Sequence, residues 1–403
     1  MAMAQTKLKV NKVIKFIKGK KIQKLIFVIL FLLILIRPVQ VVIENRISLL
    51  SPGYEKQYVQ YEKMYYSSQF VQKKNPLIIP DEAFRSFAGG AFLRGLNPIL
   101  ITHDHPPLGN YMIAASIYFF DNPRTLMIPI LAMIILGIYL LSNSAIKNSC
   151  IALIPLGIFI SESLFTNKLV YAPLVEPLQL PFIIFAFYFF IRAVKEKKYM
   201  RWLILTSISL GIVIGTRFFV TGGVMLFCMV LYLIYERRGI DKKLIYFILT
   251  LPLALVILIL SYTKTMMDGY SVIQIFGIQK YILTYHKSKF ILPFSFWDLL
   301  LFNRWHTWWG DWRISSDPQW TILWPISVIL TGVYTLFGLI RKITLNETEK
   351  IMILWLGVYT LTLSTGFSST NYFLPLMPFF YILATSFLYK IYLSFQKQKN
   401  SSL

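Results

Sequence analysis

Two short polar motifs interrupt a chain that is otherwise strongly apolar. Asp81-Glu82 opens the first, and Asp104-His105-Pro106-Pro107 forms the second. A carboxylate can take a proton from a substrate hydroxyl, so the acidic pair is a candidate general base at a membrane surface. Acids in the first turn of a helix also complement the helix dipole. The catalytic and the structural explanation therefore both apply to this pair.

The second motif offers different chemistry. Asp104 and His105 could bind a phosphate, a sugar hydroxyl or a divalent metal ion, or they could form a capped turn before a helix. One acid beside one histidine is too few ligands to indicate a metal site. His306 or Asp311 could complete such a site. A divalent metal ion therefore stays open as a cofactor.

Three further ionisable residues lie at the ends of apolar segments. Lys168 and Arg217 could snorkel towards the membrane surface, or they could bind an anionic head group. Glu176 lies one turn inside a predicted span, where an ionisable residue is a functional candidate by default. A structural ion pair between Glu176 and Lys168 is the alternative.

The composition limits the class of protein that must position these residues. The 403-residue chain is 56% hydrophobic, and its mean hydropathy is +0.60. Repeated long apolar runs predict an all-α polytopic membrane protein with one membrane domain over 1–403. The two cysteines, Cys150 and Cys228, both lie in apolar runs, so they indicate neither a disulfide framework nor a thiolate metal site. The sequence contains no Walker A, dinucleotide-binding or HExxH motif.

Hydropathy and charge together predict about ten transmembrane helices, within a range of nine to twelve. The predicted spans are 25–43, 123–142, 149–165, 173–191, 200–215, 218–235, 244–262, 320–340, 351–367 and 372–391. In this arrangement the short basic loops and both termini face the cytoplasm, as the positive-inside rule requires. The net charge of +23 is explained by these loops, and we do not expect nucleic acid as a partner.

Two long loops, 44–122 and 263–319, then face outward. In the first, the apolar residues of 81–95 fall on one helical face, which predicts an amphipathic helix on the membrane surface. The segment 106–120 is short, and if it crossed, the basic clusters at 192–201 and 236–243 would face outward, so we expect a second surface helix. The second loop carries a tryptophan cluster at 297–324, which is typical of an interfacial belt but could also stack on sugars.

In order along the chain, these motifs resemble those of the GT-C superfamily of membrane glycosyltransferases. The resemblance is strongest to dolichyl-phosphate-mannose protein mannosyltransferases and to the lipid A aminoarabinose transferase type. It is carried by Asp81-Glu82, His105-Pro106-Pro107-Leu108-Gly109, Thr166-Asn167-Lys168 through Glu176, Gly215-Thr216-Arg217, and Tyr372 to Pro378. Glu176 stands where aspartate is usual, and Asn110 and Asn371 stand where basic residues are common.

The resemblance implies a GT-C fold and an inverting transfer. A sugar, mannose or a related hexose or pentose, would move from a polyprenyl-phosphate carrier to a hydroxyl of a protein, lipid or glycan acceptor. Asp81 would be the base, with Glu82 and Asp104 orienting the acceptor or a metal. Lys168 and Arg217, together with His105, would hold the phosphate.

The chain lacks the large lumenal domain of eukaryotic relatives, so we expect a prokaryotic plasma membrane with the active site on the outer face.

Two other functions share these features. A flippase or transporter of lipid-linked glycans would place ionisable groups near the membrane midplane and often shows repeated halves, whereas here the polar residues collect in the outer loops. A polysaccharide ligase or polymerase would use the same compartment and the same class of lipid donor.

Overall fold

The computed structural model describes residues 20–237, 239–287, 292–307, 313–366 and 368–401, and this part of the chain is mostly α-helical. The helices of the first half are α1 (Lys20–Glu44), α2 (Arg46–Leu50), α3 (Tyr54–Tyr66), α4 (Asp81–Leu93), α5 (Pro98–Ile101), α6 (Leu108–Phe120), α7 (Met127–Ile146), α8 (Leu153–Ser161), α9 (Ser163–Val170) and α10 (Val175–Lys195). Those of the second half are α11 (Met200–Thr216), α12 (Phe219–Arg237), α13 (Lys242–Thr250), α14 (Pro252–Ser261), α15 (Thr263–Met267), α16 (Val272–Lys287), α17 (Ser295–Phe302), α18 (Leu323–Leu339), α19 (Glu347–Ser364) and α20 (Met377–Ser401). A short 3₁₀ helix covers Thr370–Phe373, and β1 (Trp305–His306) pairs antiparallel with β2 (Ile314–Ser315).

The all-α polytopic membrane fold is confirmed. Six helices in the described residues are long and apolar enough to cross a membrane, and a bent pair, α8 and α9, would make seven. The other three predicted spans correspond to α11, α18 and α19. Of these, α11 and α18 are apolar helices of 17 residues each. The total of ten spans stays a prediction.

One predicted span is broken. The segment 149–165 was expected to be a single span, but α8 ends at Ser161 and α9 starts at Ser163, with a bend of 56° between them. Glu162 lies at the bend in extended conformation. Its Oε1 accepts hydrogen bonds from Trp324 Nε1 at 3.1 Å and from the Tyr381 hydroxyl. These bonds from α18 and α20 hold the bend, and Lys168 lies in the last turn of α9.

The loops with a predicted cytoplasmic location meet at one end of the bundle. Lys195 Nζ, at the end of α10, donates to Ser144 Oγ at 3.1 Å and to Thr348 Oγ1 at 2.8 Å. Lys243 Nζ donates to Ala193 O at 2.8 Å. The turns after α7, α10, α12 and α18 are therefore neighbours, as the charge pattern predicts.

The two long loops meet each other as well. Thr265 Oγ1 in the second loop donates to Asn97 Oδ1 in the first at 3.0 Å. Helix α6 starts beside Thr216, and at its other end the Asp121 carboxylate accepts from Gly53 N at 2.7 Å. Both ends of α6 thus contact the end of the bundle that carries the long loops. This arrangement agrees with a helix that does not cross.

Helix α4 lies within the predicted range of 81–95, but its surroundings differ from those expected for a helix on the membrane surface. All ten residues from Ala83 to Phe92 are buried, including Arg85 and Ser86 on its polar side. Helices α3 and α6 cover it; the Tyr54 hydroxyl, for example, donates to Ser86 O at 2.6 Å. The expectation of a helix with one face on the membrane and one in water neglected these covering helices. Only the two ends of α4 are accessible, Leu93 at its C-terminus and the acidic pair at its start.

Candidate active site

The acidic pair occupies the first turn of α4. Pro80 precedes it in an extended conformation, and Pro80 O accepts the first helical hydrogen bond, from Phe84 N at 2.9 Å. Asp81 is exposed and Glu82 is half-buried. The local sequence therefore holds the Asp81 carboxylate at the rim of a buried helix, where a substrate can reach it.

A buried ion pair lies next to this rim. Glu176, in the first turn of α10, accepts from Arg217, the residue directly after α11, with 3.1 Å between Oε1 and Nη2. Each side chain is only 9% exposed. The Arg217 guanidinium also lies over the Tyr372 ring, 4.8 Å from its centroid. Glu176 was proposed either as a functional residue or as the partner of Lys168, and its direct partner is Arg217.

Lys168 joins the same group through an amide. Its ammonium donates to Asn371 Oδ1, and Asn371 Nδ2 lies 3.4 Å from Glu176 Oε1. Three separate parts of the chain thus form one network of two buried cations, one carboxylate and one amide. We call Lys168, Glu176, Arg217 and Asn371 the cation cluster.

The candidate base lies close to the cation cluster. The Asp81 carboxylate is near enough to Lys168 and to Arg217 to interact electrostatically with both. Asp317, from the second long loop, acts on Lys168 in the same way. Asp317 is buried, and its Oδ1 accepts from Gln319 N at 2.8 Å. The structure therefore brings both long loops to the span ends that carry the cation cluster.

A second group of charges fills the space between α4 and α6. His105 Nδ1 lies 2.7 Å from Asp104 Oδ2 and 3.3 Å from Arg85 Nη2, and Arg85 lies 3.6 Å from the same Asp104 oxygen. Burial alone would raise the pKa of the Asp104 carboxyl. The hydrogen bond and electrostatic interaction with His105, together with the Arg85 guanidinium, outweigh burial and hold that pKa well below its usual range.

The two groups are adjacent. Arg85 is close enough to Glu176 to act on its charge. The Pro106-Pro107-Leu108-Gly109 segment forms the start of α6, and a Cβ on Gly109 would come within 2.9 Å of Thr216 O. A side chain larger than glycine would push α6 away from the end of α11. Gly109 therefore permits the start of α6 to pack closely against Thr216, the residue before Arg217.

His306, another predicted site residue, has its partner within the second long loop. His306 Nε2 pairs with Asp298 Oδ2 at 2.9 Å, in the second loop. Asp311 lies outside the described residues. Among the described residues, no group of three or more His, Cys, Asp or Glu side chains could hold a metal ion. The Asp104-His105 pair instead takes the Arg85 guanidinium as its cationic partner, and the described residues do not fit a metal site.

The described tryptophans of the second loop are fixed to the protein. Trp297 donates to Ser364 Oγ at 2.7 Å, Trp305 to Ser368 O at 3.1 Å, and Trp320 to Leu300 O at 3.1 Å. These three indoles anchor the loop to the bundle, which neither interpretation of the cluster anticipated. Residues 308–312, with three further tryptophans, lie outside the described residues.

Sequence reasoning assigned no role to two residues of the centre. Arg85 reads as one polar residue of an amphipathic helix, and only its burial shows that it serves Asp104 and His105. Asp317 lies far from Lys168 in the sequence and has no motif around it. The one available signal for both was general: a buried charge needs a partner of opposite sign, which is an acid for Lys168 and a cation for Asp104.

Comparison with known proteins finds one family model and several solved structures that are similar to this chain. Residues 104–262 match the sequence model of the family described as dolichyl-phosphate-mannose-protein mannosyltransferase. The structure of ArnT from Cupriavidus metallidurans in the apo state is similar with a TM-score of 0.53, at 14% identity over 83% of this chain and 59% of that chain. The predicted family resemblance is thus confirmed over residues 104–262, and the likeness to ArnT is one of fold.

Two other solved structures are similar at lower scores. ArnT from the same organism bound to undecaprenyl phosphate gives a TM-score of 0.48, with 14% identity over 83% of this chain and 59% of that chain. AglB, the oligosaccharyltransferase of Archaeoglobus fulgidus in complex with an inhibitory peptide and a dolichol-phosphate, gives 0.48, with 11% identity over 86% and 52%. This chain thus spans between half and three fifths of the length of these proteins. No curated protein sequence matches it.

Proposed function

We propose that the protein is an integral membrane glycosyltransferase that moves a sugar from a polyprenyl phosphate to a hydroxyl acceptor, with inversion at the anomeric carbon. The sugar is mannose or a related hexose or pentose, and the acceptor is a protein, a lipid or a glycan. The observation that carries the proposal is the cation cluster, in which Lys168 and Arg217 lie buried at span ends beside the accessible carboxylate of Asp81.

The acceptor side of the reaction needs one base. The acceptor oxygen attacks the anomeric carbon as the bond from that carbon to the phosphate oxygen breaks, and the hydroxyl proton passes to Asp81. Inversion follows because attack and departure occur on opposite faces of the sugar. Asp104, which is fixed by His105 and Arg85, lies on the neighbouring helix start and would orient the acceptor, as would Glu82.

The donor side needs a site for a growing negative charge. The leaving polyprenyl phosphate gains charge in the transition state, and preformed cations in a buried site stabilise such charge strongly. Lys168 and Arg217 supply these cations, and His105 lies on the adjacent motif. Glu176 and Asn371 keep the two cations in place before the donor binds. The apolar tail of the donor would remain among the spans while its phosphate reaches the cluster.

We place this centre on the outer face of a prokaryotic plasma membrane, with both termini in the cytoplasm. Support comes from the basic loops, which meet at the opposite end of the bundle. Single cysteines in place of Lys73 and Ile240, both exposed, test this topology in a background with Cys150 replaced by serine. We expect impermeant maleimide to label the two positions from opposite sides of sealed membranes. Labelling of both from one side would contradict the topology.

The reaction is tested with purified protein in lipid vesicles and an acceptor extract. The vesicles receive either a labelled polyprenyl-phosphate sugar or the matching nucleotide sugar. We expect label to pass to the acceptor only from the lipid donor. Transfer from the nucleotide sugar without any lipid carrier would contradict the proposal. Movement of intact labelled lipid between leaflets, without transfer, would indicate a flippase.

A further inference from the structure

A cleft at the other end of the bundle is not used by the proposed reaction. It has a volume of about 680 Å³ and lies between the start of α1 and the turn that joins α7 to α8. That turn lies at the end of α10 that carries Lys195, whereas Glu176 lies at the other end. The 21 residues of α10 span about 30 Å at 1.5 Å per residue. The cleft is therefore remote from the cation cluster.

The walls of the cleft carry positive charge on two sides. Lys24 comes from α1 and Lys147 from the α7–α8 turn, and both are exposed. Within the described part of the chain, neither ammonium group has a recorded hydrogen bond or ion pair. Lys195 is close enough for its charge to repel that of Lys147, with Glu347 as a nearby counter-charge to Lys195. A bound anion would offset this repulsion.

The backbone presents Lys147 in an unusual way. Its φ is +58°, in the left-handed region that favours glycine at the end of a helix. A cation at a helix C-terminus complements the dipole, but glycine would avoid the backbone cost. The turn alone would favour glycine, so we infer that the positive side chain of Lys147 has a role of its own.

The floor of the cleft is apolar and aromatic. Phe27 and Tyr139 lie there with ring centroids 5.4 Å apart. In the most apolar 18-residue stretch of α1, only 11% of the sequence is buried inside the protein, whereas the corresponding value for α10 is 72%. The side of α1 is thus open to lipid next to the cleft. A free phosphate would use the lysines alone, whereas a lipid would use the lysines and the aromatic floor.

We propose that this cleft binds an anionic phospholipid. The headgroup phosphate lies between Lys24 and Lys147, with hydroxyl support from Ser149, and an acyl chain covers Phe27 and Tyr139. The lipid joins the loosely packed α1 to the rest of the bundle. This site differs in ligand, position and end of the bundle from the donor site proposed above.

A native reporter makes the proposal testable in the intact protein. Cys150 lines the cleft and is half-buried, whereas Cys228 is buried elsewhere. Wild-type protein is placed in nanodiscs of phosphatidylcholine, with or without phosphatidylglycerol, and the rate of maleimide labelling at Cys150 is measured. We expect phosphatidylglycerol to slow this labelling several-fold. Equal rates in both lipids, or equal protection by inorganic phosphate in phosphatidylcholine, would overturn the proposal.

Variants identify the residues. Each lysine near an anionic membrane surface contributes roughly fivefold in affinity, so Lys24→Gln/Lys147→Gln should reduce retention of phosphatidylglycerol, measured by native mass spectrometry, by about 30-fold. The matched control is Lys197→Gln/Lys198→Gln, which removes two exposed charges from the turn after α10 without touching the cleft. An equal loss in the control would show diffuse attraction instead of a site.

Discussion

Two buried carboxylates at opposite ends of the bundle invite comparison. Glu176 belongs to the cation cluster, and Glu349 lies fully buried near the basic turns. Each accepts a charged partner: Arg217 at 3.1 Å for Glu176, and Lys390 at 2.7 Å for Glu349. By burial and by ion pairing alone, the two sites look alike.

Their remaining contacts differ. Both oxygens of Glu349 are used, since Oε1 accepts from Ser386 and Oε2 from Asn346 N at 2.8 Å, in a capping box that starts α19. Lys390 donates further to the Tyr334 hydroxyl at 2.6 Å. The Glu349 site is thus saturated by its own fold. The cation cluster has two cations for Glu176 and borders the accessible Asp81. A buried ion pair indicates function only where part of its charge faces a space that a ligand can enter.

The largest effect is expected for a substitution beside the cation cluster, at Asp81. Asp81→Asn keeps the shape but cannot take the acceptor proton, so turnover should fall by roughly 10²–10⁴-fold. The yield and thermal stability of the protein should stay near those of the wild type, because the side chain is exposed. Glu62→Gln, in the same loop, serves as the control and should keep its activity. Near-normal turnover in the Asp81 variant would exclude it as the base.

The next effect concerns the saturated site. Lys390→Met leaves the fully buried Glu349 without its cation, and breaking a buried pair costs up to about 3–5 kcal/mol. The cost should be lower here because the Lys390 side chain is 26% exposed. Denaturant unfolding measures it, with Lys397→Met on the same helix as the control. Activity per folded molecule should not change; a loss comparable to that of Asp81→Asn would remove the distinction between the two sites.

The smallest effect is a dependence of stability on pH. The folded-state pKa of Asp104 is lowered, so its contribution is complete above the ordinary aspartate pKa of about 3.9 and is lost as the pH falls through the folded value. We therefore expect wild-type protein to lose more thermal stability between pH 7 and pH 3 than Asp104→Asn does. Equal losses would show that the charge contacts of Asp104 do not stabilise the fold.

Much of the helical framework follows from apolar runs and basic loops. The start of α4, the separate α6 and the end of the bundle at which each turn lies were all predictable, because hydropathy and charge report directly on the membrane. The bend at Glu162 was not predictable. The apolar residues of a span do not indicate where its helix changes direction. The bend depends on Trp324 and Tyr381, which lie far along the chain.

The candidate site also contains residues that the sequence motifs located and residues that they did not. The motifs placed Asp81, Lys168 and Arg217 in a common centre, and the structure brings these three together. Two partners complete the centre. Asp317 has no motif around it, and Asn371 lies beside the Tyr372 motif but where a basic residue is common, so its sequence position does not predict a bond with Lys168. Which cation pairs with which carboxylate is a three-dimensional property. The structural alternative for Glu176 therefore named Lys168, whereas its direct partner is Arg217.

The central claim is that the cation cluster binds the phosphate of a polyprenyl phosphate. The direct test compares binding of a polyprenyl phosphate and of the polyprenol that lacks the phosphate, in wild type and in Lys168→Ala/Arg217→Ala. We expect the wild type to prefer the phosphate form by about 10²–10³-fold, the scale of a preformed charge-stabilising contact, and the double variant to bind both lipids equally weakly. An unchanged preference for the phosphate form in a folded double variant would contradict the account.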